Sequence, residues 1–390
     1  MTHTTFRYLT ILLCSFVAVV CSTMAFSKVS RPKAIVLPPT SQPIKKSSDI
    51  EVVFVLDTTG SMSGLIAGAK QKIWSIVNEL ANAKPTPKIK VGLVAYRDRR
   101  DAYVTKVFQM TNDLDAIYQS LTAFRAQGGG DTPEHVNLAL YHGVHKIKWS
   151  NNPNTLKLLF LVGDAPPHMD YTNDIRYPVT LQKAVKKGII VNTIRCGNMA
   201  STAVHWNKIA KMGKGNFLSI KQNGHSRTIK TPYDKKITRV GRLLQKTYIV
   251  YGSGSIRSKL NAQTIGNTTL TEKNAETSAA RYSYNAKRSS AGHGWGTRDL
   301  LARYNKNPGC LNNIPAKHLP KKLAKMNLKQ RIAFMNKLNT VRAKLQKKLA
   351  QLSRKREGYI KKKLQHKKDS FDYNVLHTIK KQAKQKNIRF

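Results

Sequence analysis

The chain has 390 residues, with 68 Lys and Arg against 20 Asp and Glu, a formal net charge of +48. That length accommodates two domains and a sizeable core, and of the four cysteines only Cys196 and Cys310 lie beyond the first 25 residues, too few for a disulfide framework or a cysteine-based zinc site. The surplus charge is uneven, with 22 basic and 12 acidic residues over 51–221 but 24 and 3 over 317–390, and such a field favours phosphates, anionic lipid head groups or other acidic polymers.

Residues 1–25 read as a signal peptide: Arg7 lies in a weakly positive start, Leu9–Val20 is a short apolar run, and Thr23-Met24-Ala25 offers small residues for cleavage. The run is short for a membrane span. An exported protein, periplasmic or extracellular and without a transmembrane span after cleavage, is expected, with a retained N-terminal anchor as the alternative. Cleavage removes Cys14 and Cys21 and leaves Cys196 and Cys310, either as one disulfide or as two free buried thiols. Residues 26–48, with Pro32, Pro38, Pro39 and Pro43 among Ser and Lys, suit an extended linker.

From Asp49 the pattern becomes α/β. Strands are expected at 51–56, 91–96, 103–108, 158–162, 189–194 and 216–220. Helices are expected at 64–80, 113–123, from Thr132-Pro133 to about Lys146, and near 179–187 and 204–211. Val52–Leu56 and Leu158–Val162 are apolar without alternation, as central parallel strands covered on both faces are. Strands alternating with helices predict a doubly wound, mostly parallel, Rossmann-like sheet over 49–222. Residues 223–316 read as a basic, partly irregular segment, with a helix at 233–247, an extended Tyr248–Tyr251 and little periodicity over 252–300. Residues 317–390 read as a basic region dominated by one long helix from about Leu319 to Leu364. Leu328, Ile332, Met335, Leu338, Val341, Leu345, Leu349 and Leu352 form its apolar stripe, for packing on the sheet domain or pairing as a coiled coil. A short helix is expected at 372–385.

Three separated pieces carry the chemistry. Asp57-Thr58-Thr59-Gly60-Ser61 follows the first strand, Gly130-Asp131-Thr132 follows a triple-glycine loop, and Asp164 ends the second apolar strand. Ligands of open α/β sheets bind at the carboxyl ends of strands. Carboxylates and hydroxyls there are the hard donors that a magnesium-like ion prefers. This pattern resembles the von Willebrand factor A domain, whose metal-ion-dependent adhesion site is D-x-[ST]-x-S followed by a Thr and then an Asp. The matching residues are Asp57, Thr59, Ser61, Thr132 and Asp164. The resemblance implies Mg2+, with Mn2+ or Ca2+ as alternatives. The hydroxyls would ligate the ion, the two carboxylates would hold its water shell, and a partner's acidic group would complete the octahedron.

Other readings are weaker on chemical grounds. Helix capping by Thr59 and Ser61 leaves Thr132 and Asp164 unexplained. An aspartyl-phosphatase nucleophile usually has a second Asp where Thr59 stands, and no Gly-Lys-Ser/Thr follows Gly128-Gly129-Gly130 to make a phosphate cradle. His135, His142 and His145 share one helical segment but lack a Cys or Glu in register for zinc. Arg97-Asp98-Arg99-Arg100 reads as a solvated loop, and His168 as part of the ligand rim. Thr231-Pro232-Tyr233-Asp234, Thr247–Gly252 and Leu352–Tyr359 resemble segments of bacterial exported A-domain proteins. The expectation is a non-enzymatic binding protein that takes a protein or other acidic ligand through the metal. An envelope or anionic-polymer module acting through the basic helices is the alternative; nucleic acid is not an expected partner.

Overall fold

This computed structural model describes residues 49–84, 87–220, 229–262, 275–290, 298–365 and 371–390, which all fall in one compact unit, Ser47–Phe390. The signal segment and linker expected over 1–48 lie outside the described residues. Six strands form one sheet: β1 (Asp49–Asp57), β2 (Lys88–Tyr96), β3 (Thr105–Thr111), β4 (Leu156–Gly163), β5 (Ile189–Cys196) and β6 (Lys214–Ile220). Their order is β3-β2-β1-β4-β5-β6, parallel except for β3, which pairs antiparallel with β2 at the edge.

Strand pleating divides the apolar runs between two cores. Val52, Phe54 and Leu56 of β1 face one side, Val53 and Val55 the other, and all five are fully buried. On the first side they meet α1 (Ile66–Leu80) and α2 (Leu114–Ala123) through Ile73, Ile76, Ile117 and Leu121. On the second they meet α3 (Val136–His145), α4 (Tyr177–Lys186) and α5 (Ala200–Met212) through Leu140, Leu181, Trp206 and Ile209. Phe54 of β1 stacks on Phe160 of β4 at 5.4 Å. Covering both faces explains why neither strand alternates in hydrophobicity.

The helix expected from Thr132-Pro133 starts only at Val136. Glu134 donates its N–H to Pro166 O at 2.9 Å, and a parallel bridge joins Glu134 to Pro167. Extended backbone at Glu134 is incompatible with a helical turn there.

The C-terminal region is more integrated than a tail. The helix Phe371–Lys384 places Val375, Ile379 and Ala383 in the first sheet core, joined by Ile388 beyond it. Its Gln382 and Asn192 of β5 exchange amide hydrogen bonds of 3.1 and 2.7 Å, both side chains being buried. Lys72 of α1 pairs with Asp372 at 2.7 Å. The stretch 252–300 contains a helix that periodicity missed, Ala275–Ser290. It buries Ser278, Arg281 and Ser283 alongside Ala279, Tyr282 and Ala286, so no strong apolar period marks it in the sequence. It packs on α6 (Asp234–Gln245), where a Cβ on Gly241 would lie 2.2 Å from the Tyr282 ring.

The long helix runs from Leu328 to Gln365, preceded by a separate short helix, Lys321–Ala324. Asn327 and Gln330 divide them: Gln330 N–H donates to Asn327 Oδ1 at 2.9 Å and Asn327 N–H to Gln330 Oε1 at 3.0 Å, a reciprocal capping box. The expected stripe is not a single buried face. Met335 and Leu349 are fully buried, whereas Leu328, Ile332 and Val341 are 42%, 38% and 43% exposed. Two arginines are buried on this helix instead. Arg342 pairs with Asp299 and donates to Thr247, and Arg356 pairs with Asp234 at 2.8 Å. Cys196 lies in the sheet core and Cys310 in a separate cluster with Leu300, Leu311 and Leu323; both are free thiols. Among the described residues no helix is long and apolar enough to cross a membrane.

Candidate metal centre

β1 and β4 are neighbours in the sheet, with Leu56 opposite Val162, so their carboxyl ends deliver Asp57 and Asp164 to one place. Thr59 donates to Asp57 Oδ1 from its N–H at 2.9 Å and from its hydroxyl at 2.7 Å. The Thr59 and Ser61 hydroxyls lie 3.1 Å apart, and Ser61 donates to Asp164 Oδ1 at 3.0 Å. Four of the five expected residues thus form one hydrogen-bonded chain. Thr132 is not part of it; it is exposed on the loop before α3, two residues ahead of the bridged Glu134.

Close approach shapes this centre. A Cβ on Gly163 would lie 2.4 Å from the Tyr96 hydroxyl and 2.9 Å from Asp57 Oδ2, so β4 must end in glycine for the carboxylate to fit. The triple-glycine loop lies against it from above: Gly60 N–H donates to Gly128 O at 2.7 Å and Gln127 N–H to Thr58 O at 3.0 Å. Gly129 gives its N–H to Asp101 at 2.9 and 3.0 Å, so that amide is already committed within the protein.

The electrostatics are those of crowded, dry carboxyls. Burial, then the neighbouring Asp164, raises the Asp57 pKa to about 7, and burial raises that of Asp164. Glu134, which motif matching did not single out, is also drawn in. It is 2% exposed, and burial followed by the charges of Asp57 and Asp98 raises its pKa to about 9. Asp57 Oδ2 and Glu134 Oε2 are buried with no hydrogen-bond partner. Orphaned buried carboxylate oxygens are costly in a protein interior. A divalent cation relieves both the desolvation and the mutual repulsion, so Asp57, Thr59, Ser61 and Asp164 fit one chemically.

One neighbouring expectation is corrected. Arg97-Asp98-Arg99-Arg100 is not a solvated loop. Arg97 and Asp98 are 6% and 4% exposed, with Arg97 donating to Arg125 O at 3.1 Å and lying over the Tyr103 ring. Only Arg100 is fully outside, in the left-handed region at φ 70°. The histidines have separate surroundings: in α3, His142 bonds the Thr105 hydroxyl at 2.8 Å and His145 the Tyr141 carbonyl at 3.1 Å, while His135, just before the helix, accepts from Arg99 at 3.3 Å and lies 3.1 Å from Asp174.

The sheet order, the adhesion-type loop and the Asp164 strand end define an α/β domain of the von Willebrand factor A class. Residues 51–221 match the family model described as the von Willebrand factor A domain, so this part of the chain is such a domain. Among known proteins, the chain is 40% identical over 93 residues to von Willebrand factor A domain-containing protein 7 of Rattus norvegicus, covering 23% of this chain and 10% of that protein. It is 28% identical over 119 residues to an ariadne-like RING finger protein of Acanthamoeba polyphaga mimivirus, covering 30% and 11% respectively. The match therefore spans only about a tenth of either relative. Among solved structures, BatB from Bacteroides thetaiotaomicron aligns over 46% of this chain and 96% of its own, with 15% identity and a TM-score of 0.33.

Proposed function

We propose that this A domain is a binding module that captures an acidic group of a protein partner through a divalent ion, magnesium first, held by Asp57, Thr59, Ser61 and Asp164. The observation supporting this is the hydrogen-bonded chain across two strand ends, with a buried carboxylate oxygen left unpaired. Thr132 belongs to this reading as an exposed hydroxyl on the adjoining loop, reaching the ion directly or through water once ion and ligand are bound. Hydroxyl and water ligands leave the ion electron-poor and ready for a carboxylate. Binding rather than catalysis is proposed because the set itself consists of ion-holding carboxylates and hydroxyls that favour capture of an acidic group. Export to the periplasm or the extracellular side is part of the same proposal.

The test is retention of partners from envelope extract on immobilised protein, with magnesium or with chelator. Retention should require magnesium and be lost in Asp164→Ala; metal-dependent hydrolysis of a phosphate ester would defeat this reading. A second reading draws on the long helix, whose Lys329, Lys337, Lys344, Lys347, Lys348 and Lys355 are exposed. Under it, the helix binds an anionic polymer or surface. Such binding survives chelation and collapses at moderate salt.

A further inference from the structure

Beside the adhesion-type centre, three residues outside its set converge from three loops: Asp98 after β2, Asp131 after the triple glycine, and His168 after β4. One ligand-type atom from each lies within 4.8 Å of the others. His168 Nε2 is 3.5 Å from Asp98 Oδ2 and 3.8 Å from Asp131 Oδ2. Tetrahedral zinc, with bonds of about 2.0–2.2 Å, separates its ligands by roughly 3.3–3.5 Å. His168 and Asp98 already have that spacing, and the exposed Asp131, whose side chain is 62% accessible, is the ligand that must move inward.

We propose that Asp98, Asp131 and His168 form a second cation site, selective for a zinc-like dication and left with an open coordination position. The His168 side chain is 4% accessible, and its Nε2 is buried without a hydrogen-bond partner while aimed at two carboxylates. On the far side of the ring, Nδ1 lies 2.8 Å from Asp170 Oδ1. In a neutral ring that carboxylate would take the proton on Nδ1 and turn the Nε2 lone pair into the cluster, the arrangement by which proteins orient a metal-ligating imidazole. A lone pair facing two carboxylate oxygens is repulsive unless a proton or a metal ion lies between them, and a zinc-like dication competes with the proton for that position. The surrounding shell is also built: the Tyr171 hydroxyl donates to both Asp98 oxygens at 3.2 and 2.9 Å, and its ring stacks on His168 at 4.0 Å. Imidazole with carboxylates suits zinc, whereas all-oxygen donors suit magnesium, so the two centres differ in preferred ion.

The experiment is a zinc titration of the chelator-stripped full chain by calorimetry, paired with the 15N signals of His168. Wild type and Ser61→Ala should both take zinc here, with the His168 Nε2 signal moving on one equivalent. Asp131→Asn, an exposed change that leaves the fold intact, should weaken that step at least about tenfold, as loss of even an outer-shell partner does. His168→Ala should abolish it. Zinc binding lost in Ser61→Ala but untouched by Asp131→Asn would place the ion at the adhesion-type centre and overturn the proposal. So would a His168 ring protonated on both nitrogens at neutral pH and unmoved by zinc, which would make the cluster an ion pair. Loss of magnesium binding in Ser61→Ala tests the adhesion-type reading separately, since neither zinc outcome depends on it.

Discussion

Asp57 shows how one residue couples metal, pH and stability. Its carboxyl is raised from 3.8 to about 7 by burial and by Asp164. Without a cation, the folded state therefore holds a proton that the unfolded chain releases near pH 4. The folded state is favoured by that proton at low pH, and the advantage is lost as pH climbs from about 4 to about 7. Glu134, raised from 4.5 to about 9, acts with the same sign up to higher pH. Magnesium should cancel the penalty by stabilising the ionised forms. The melting temperature with magnesium minus that with chelator should accordingly grow as pH rises from 5 to 8. A flat or shrinking difference would mean that these carboxyls do not face the ion.

At the scale of the element, the long helix separates what periodicity promises from what packing uses. Its lysines and leucines alternate as an amphipathic helix should, yet its apolar stripe is shared between buried and exposed positions. Leu349→Ala should cost about 2–5 kcal/mol, as buried leucines do, while Ile332→Ala should stay within about 0.5 kcal/mol. Chemical denaturation of both variants checks this, and equal effects would indicate a partner over the exposed end. The arginines invite a parallel comparison. Arg356 is buried against Asp234 at 2.8 Å, while Arg354 two positions away is exposed. Arg356→Ala should cost about 3–5 kcal/mol by stranding a buried carboxylate, and Arg354→Ala should leave the denaturation midpoint almost unchanged.

For the whole molecule, the intensely basic C-terminus is part of the fold rather than an appendage. Val375, Ile379 and Ile388 complete the first sheet core, and Gln382 satisfies a buried Asn192. Ending the chain at residue 370 should therefore remove about 5 kcal/mol or more, at roughly 1.5–3 kcal/mol for each large apolar side chain. That is comparable with the whole stability of a domain. The truncated protein should melt early or aggregate. If it instead melted cooperatively at the wild-type temperature, the C-terminal helix would be dispensable.

The residues themselves determined a good deal. Unbroken apolar runs at Val52–Leu56 and Leu158–Val162 specified central strands, because only a strand buried on both faces loses its alternation. Asp57, Thr59 and Ser61 lie within one turn of chain, and Asp164 follows a strand of the same kind, so that grouping was legible from local spacing and a parallel sheet. The rest depended on contacts between distant segments. Thr132 matches the motif, yet its side chain is exposed on the loop and takes no part in the hydrogen-bonded chain. Glu134, Asp98 and His168 carry no motif spacing; they meet only because loops after α2, β2 and β4 open at one edge of the sheet. Which stripe of a lysine-rich helix is buried, and that two arginines share it, follows from the positions of Asp234 and Asp299, not from any period along the helix. Local pattern reports the geometry of a segment, whereas side-chain partnership across the chain is decided by how the packed layers register, and that information resides in the tertiary structure.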